Sequence, residues 1–131
     1  MAHYAKVVPI PLSKPRMGAV TTVIVAEADF IATYRDNTPG EWIQTSYNTF
    51  NNKYYSPVTG KVDPAVLPLR GNFAGCGYLY DYANDVFYMK SPYPSWTLNT
   101  STWSWEPPTP RPTTANVEWD EDTLIWKQSN L

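Results

Sequence analysis

Tyr78-Leu79-Tyr80-Asp81, Trp96-Thr97-Leu98-Asn99 and Val117-Glu118-Trp119-Asp120 are three copies of one short pattern. In each, two large apolar residues separated by a spacer lead into Asp or Asn. An aromatic follows six positions after that anchor: Phe87, Trp105 and Trp126. The anchors Asp81, Asn99 and Asp120 lie 18 and 21 residues apart. Alternation at period two places Trp96 with Leu98, and Val117 with Trp119, on one face of an extended strand. Asp or Asn then begins a turn, because its side chain bonds backbone N–H groups two or three residues on. Each copy therefore reads as a tight β-hairpin, with Asn99 to Thr102 and Asp120 to Thr123 as four-residue connections around a type I turn. The returning strands carry Trp103 with Trp105 and Leu124 with Trp126. Asp85 stands where the other copies carry Trp103 and Leu124, so a longer loop is expected in the first copy.

Upstream of the hairpins, His3 to Val8 is short and β-prone, and Val20 to Val25 is a strand dense in β-branched residues. The run from Pro9 to Gly18 holds three prolines and joins them as a long loop. Ala26 to Tyr34 reads as a helix, with Glu27 and Asp29 in its first turn and Phe30 and Tyr34 four apart on one face. Glu41 to Tyr47 reads as a third strand. The expected fold is mainly β (α+β). Residues 1–47 form a β-β-α-β module with the helix across a three-stranded sheet. Residues 48–71 form an irregular Pro- and Asn-rich arm, and residues 72–131 hold the three hairpins. Ser91-Pro-Tyr-Pro94 and Glu106 to Pro112 read as stiff spacers, the latter polyproline II, that keep neighbouring hairpins at a set distance.

Composition narrows the partners. The 131 residues include six Trp, ten Tyr and thirteen Pro against six Gly, so the irregular segments are stiff. Each buried ring carries roughly 150–250 Å², enough for a core with few aliphatics. Net charge is −2 without a basic run, which argues against nucleic acid. No apolar run approaches the ~20 residues of a membrane span, and the N-terminus lacks the order of a secretory signal. The expected setting is a reducing cytosol. The single Cys76 excludes an internal disulfide or a multi-Cys zinc site, and Gly75 and Gly77 beside it point to a small buried thiol.

Catalytic and metal chemistry find little support. The turn Asp120-Glu121-Asp122, and Asp81 with Asp85, offer carboxylates to a cation, but neither has the ligand spacing of a calcium loop. No acid pair sits in a recognisable glycosidase setting, and His3 is the only histidine. The expectation is no enzyme, no metal and no cofactor. The aromatics Trp96, Trp103, Trp105, Trp119, Trp126, Tyr78, Tyr80 and Phe87 admit three readings: a ring-rich core, a protein interface, or a platform that stacks on sugars. Phe50, Tyr54, Tyr55, Tyr93, Trp103 and Arg111 are the candidate interface residues, being types that anchor interfaces, several on stiff segments.

Arg70-Gly-Asn-Phe-Ala-Gly-Cys-Gly-Tyr-Leu-Tyr-Asp81, Pro92 to Asn99 and Trp119 to Trp126 resemble a group of small virion-associated proteins from tailed phages of aquatic bacteria, especially cyanophages. His3 to Val7, Val23 to Glu27 and Trp42 to Ser46 are similar too, so the resemblance spans most of the chain apart from residues 9–18 and 48–68. It implies a phage structural protein of the virion. Capsid decoration is the leading expectation, and a tail or fibre component that binds host-surface glycan is the alternative. The partners implied are other virion proteins, capsid or tail subunits, or copies of itself. It brings no catalytic residue.

Overall fold

The computed structural model describes residues 2–34, 37–114 and 116–129. Strands β1 (Ala2–Pro9) and β2 (Met17–Ala26), helix α1 (Ala28–Thr33) and strand β3 (Glu41–Thr45) come first. A short pair follows, β4 (Thr49–Phe50) with β5 (Lys53–Tyr54). Three hairpins complete the chain: β6 (Leu79–Asp81) with β7 (Val86–Tyr88), β8 (Thr97–Asn99) with β9 (Ser104–Glu106), and β10 (Val117–Asp120) with β11 (Ile125–Gln128). The fold is mainly β, as the alternating runs require.

The central sheet is antiparallel, in the order β3-β1-β2-β6-β7. It runs across the expected division of the chain at residues 47 and 72, because β6 pairs with β2 through Met17↔Asp81, Gly18↔Tyr80 and Ala19↔Leu79. The first hairpin thus belongs to the N-terminal sheet, and only the second and third stand as separate two-stranded ribbons. Ala5, Val7, Val20, Ala74, Tyr80 and Phe87 make the core on this sheet. Gly18 is required there, since a Cβ would lie 2.4 Å from Val7 Cγ1. Lys6 is buried in the middle of β1. Its ammonium donates to the carbonyl and hydroxyl of Thr38 and lies over the Trp42 ring, which offsets the cost of hiding a charge.

Two expectations for this half are corrected. Helix α1 is six residues long and buries none of them, so it does not cover the sheet. Phe30 and Tyr34 do share a face, but they stack on each other at 5.0 Å, and the Tyr34 ring lies 6.1 Å from Trp42 on the edge strand β3. A single turn and a half has too little apolar face to pack as a layer. The arm, expected to lack regular structure, contains the β4–β5 hairpin. Its turn is Asn51-Asn52, with φ of 53° and 59°, the type I′ geometry that Asn tolerates.

The three later turns are alike, which corrects the expectation of a longer first loop. Each has four residues between its strands, and the backbone N–H of the fourth donates to the anchor carbonyl: Asp85 to Asp81, Trp103 to Asn99, Leu124 to Asp120, at 2.7–2.8 Å. The anchor carboxylate or carboxamide bonds N–H groups two or three residues on, as expected. Asp85, Trp103 and Leu124 all adopt positive φ, 55–57°. Trp103 and Leu124 are therefore turn residues, not members of the returning strands.

Candidate functional site: ring seams and a braced arm

The rings gather where hairpins meet. Trp103 stacks on Tyr88 of the first hairpin, with centroids 5.9 Å apart and planes 12° apart, and Trp105 meets Tyr88 edge-on. Trp96 packs edge-on against both Trp119 (5.8 Å) and Trp126 (6.2 Å) of the third hairpin, with Tyr93 beside Trp119. Trp119 and Trp126 sit directly opposite each other across the ribbon, ring edge to ring face at 5.2 Å. The stiff segments do not keep the hairpins apart. The chain between hairpins lies along the seams as straps, and each following hairpin donates a Trp N–H to it: Trp105 Nε1 to Met89 O, just before the first stiff segment, at 2.7 Å, and Trp126 Nε1 to Thr109 O, inside the second, at 2.8 Å. Glu121 closes the second seam by accepting from Trp119 Nε1, Ser95 N and Ser95 Oγ. These bonds hold its carboxyl below the ordinary carboxylate value.

Asn72 joins three segments. Its Nδ2 donates to Phe87 O and Trp103 O at 2.9 Å each, and its Oδ1 accepts from Asn51 N. Nearby, Arg70 bonds Asp85 at 2.8 Å and Gln44 O at 3.1 Å, and the Tyr80 hydroxyl also donates to Asp85. Burial, then Asp85, pushes the Tyr80 hydroxyl up to about 12. Burial alone would raise the Asp85 carboxyl, but the bonds from Tyr80 and Arg70 outweigh it and hold that group below its ordinary value.

The six candidate interface residues divide into two groups. Phe50 is exposed and lies 6.2 Å from Tyr55, while Tyr54 and Tyr55 are half-buried at the base of the arm. Tyr93 and Trp103 are half-buried in the seams, and Arg111 lies over the Trp126 ring at 5.6 Å. The structure brings Phe50 and Trp103 together as walls of one cavity of about 270 Å³. Arg111 lines a cleft of about 410 Å³ with Trp96, Glu106 and Trp126. Cys76 is exposed, not buried, because Gly75 and Gly77 carry it through an open turn rather than into the core. In the acidic turn, Asp120 is taken up by Asp122 N, Thr123 Oγ1 and Lys127 Nζ, which are hairpin bonds.

The arm carries a surface that residue types alone did not reveal. Among the described residues, twelve large apolar side chains are exposed, and six of them lie within residues 47–67: Tyr47, Phe50, Val58, Val62, Val66 and Leu67. Backbone bonds order this segment: Phe73 N to Thr49 O ties it to the chain beyond, while Asn52 N to Gly71 O, Tyr55 N to Asn48 O and Asp63 N to Tyr54 O run within the arm itself, all 2.8–2.9 Å. A second apolar point is Leu12, 97% exposed with φ of 61°. Ser13 secures that loop by bonding Ile10 O and Met17 N.

Fold and surfaces together define a mainly β protein of tandem hairpins sealed by aromatic seams, with exposed apolar side chains along a hydrogen-bonded arm. No family model, curated protein or solved structure matches the chain.

Proposed function

We propose that this chain is a structural protein of a phage particle, a minor component that decorates the capsid, and that it docks onto neighbouring virion subunits through the arm. The phage setting rests on the resemblance of the hairpin and N-terminal segments. The docking reading rests on one observation: half of the exposed large apolar side chains fall within residues 47–67, on a segment ordered by backbone bonds. An isolated exposed Leu or Val is ordinary, whereas a cluster marks an interaction surface. A braced arm loses little conformational entropy when it is covered, so more of the apolar gain appears as affinity. The test is a double variant, Val58→Asp with Leu67→Asp, at positions 91% and 88% exposed. The fold should be retained and the copy number in purified particles should fall at least tenfold. Normal incorporation would overturn the docking role.

A glycan-binding tail or fibre role is the second reading, favoured by the cleft in which Glu106 and Arg111 stand beside Trp96 and Trp126. Ring, acceptor and donor are the elements that a pyranose needs. Saturable quenching of Trp fluorescence by a host-surface oligosaccharide, lost in Arg111→Ala, would support it.

A further inference from the structure

The cavity of about 270 Å³ lies where the arm hairpin, the Asn72 segment, the first strap and the second hairpin converge. Five rings wall it, Phe50, Tyr78, Trp96, Trp103 and Trp105, with Met89 and Pro92 completing the apolar part. Tyr88 covers one face of Trp103, and the Trp105 N–H is engaged by Met89 O, so both indoles are held in place. The Asn51, Asn72 and Ser104 side-chain oxygens on the wall already take part in bonds within the chain. Ser104 Oγ donates to Asn51 Oδ1, and Asn72 Oδ1 accepts from Asn51 N. No Lys, Arg, Asp or Glu lines the cavity among the described residues.

These features select a ligand. A sugar or a protonated amine needs several acceptors for its O–H or N–H groups, and three of the four side-chain oxygens on this wall, those of Asn51, Asn72 and Ser104, are already bonded within the chain. A phosphate or carboxylate needs a cationic or N–H-rich wall; this one has no cationic side chain, and the unpartnered Trp96 indole N–H is one neutral donor. Aromatic rings attract cations electrostatically through the negative potential of their faces, most strongly for Trp and where water is excluded. A fully methylated ammonium has no N–H to satisfy and a large apolar surface. We propose that this cavity binds a methylated ammonium group by cation–π contact. Its volume is just below the ~300 Å³ at which pockets for drug-sized molecules begin, which suits a compact head group. The inference also accounts for Trp103. The turn demands a left-handed residue at this position, a poor conformation for a bulky side chain, and Asp85 in the first hairpin meets the same demand at less cost. Trp in that place supplies a cavity wall that Asp would not.

The experiment is titration of the full chain with choline at constant ionic strength, followed by Trp fluorescence and by NMR. Its neutral isostere, 3,3-dimethylbutan-1-ol, is run in parallel. Choline should saturate and bind at least about tenfold tighter than the isostere. Phosphocholine and a trimethyllysine peptide then separate a lipid head group from a modified protein as the source. Phe50→Ala removes an exposed wall with little effect on the fold and should weaken choline binding several-fold; Trp103→Ala should abolish it. Equal binding of the isostere would make this a plain apolar pocket and overturn the proposal. Absence of saturable choline binding, or full affinity in Phe50→Ala, would overturn it equally.

Discussion

Trp126 donates its indole N–H to the carbonyl of Thr109, 17 residues upstream, at 2.8 Å. Trp105 makes the equivalent bond to Met89, 16 residues upstream. Proline makes the second strap a suitable partner, since Thr109 lies between Pro108 and Pro110: proline leaves carbonyls available, favours an extended geometry and brings no N–H of its own. The two hairpins are thereby attached by the segments that precede them, and the aromatic at the sixth position after each anchor is the attachment point.

Trp126→Phe keeps a ring but loses the bond to Thr109. It should destabilise the chain by about 1 kcal/mol in denaturant melts. Trp126→Ala, which also opens the seam against Trp96 and Trp119, should cost about 2–4 kcal/mol. Equal losses for the two would show that the N–H bond contributes all of the effect and the ring none.

Asn72→Leu removes two donated bonds and one accepted bond and leaves the Phe87 and Trp103 carbonyls without that donor. The expected loss is about 2–3 kcal/mol. Tyr88–Trp103 stacking should loosen with it, read as a change in near-ultraviolet circular dichroism. A loss under about 0.5 kcal/mol would show that Asn72 does not join the segments.

These two predictions mark the limit of what the chain's order reveals. The anchors Asp81, Asn99 and Asp120 were legible because their turn chemistry is local, completed within three or four residues. The straps were not, because proline signals stiffness but does not say which carbonyl a Trp will reach. The β2–β6 pairing, Met17 with Asp81, lies beyond any local pattern. The helix is legible in the pattern from Ala26 to Tyr34, but its packing is not, since Phe30 and Tyr34 stack on each other. Among the candidate interface residues, Phe50 and Arg111 are exposed, while Tyr93 and Trp103 are held in the seams. The exposed aliphatics Val58 and Leu67 were passed over because residue type signals hot spots in rings and arginine, not in small aliphatics.

Leu124 is exposed and holds φ at 57°, a conformation that Asn tolerates better than Leu. Leu124→Asn should raise stability by roughly 0.5–1 kcal/mol, because little packing is lost. A destabilised variant would show that the Leu124 side chain packs against something this account leaves out.

The Tyr80–Asp85–Arg70 group predicts a two-sided pH profile. The folded state holds the Tyr80 proton to about 12 against an ordinary 10.0. That contribution is complete below pH 10 and is lost as pH rises from there through the folded value. Asp85 is lowered from 3.8, so its contribution is present above that value and fades as pH falls through the lowered one. Ultraviolet titration should find a tyrosine ionising near 12 that is absent in Tyr80→Phe. If the variant titrates like the parent, the Tyr80 assignment is wrong.

The central claim, docking through the arm, is tested most directly by hydrogen–deuterium exchange on the free chain and on the chain within purified phage particles. The account predicts that peptides covering residues 56–67 exchange more slowly in the particle. Peptides covering the hairpin turns at 82–85, 100–103 and 121–124 should change little. Unchanged exchange over 56–67, with protection at the hairpins instead, would contradict it and move the docking surface to the aromatic seams.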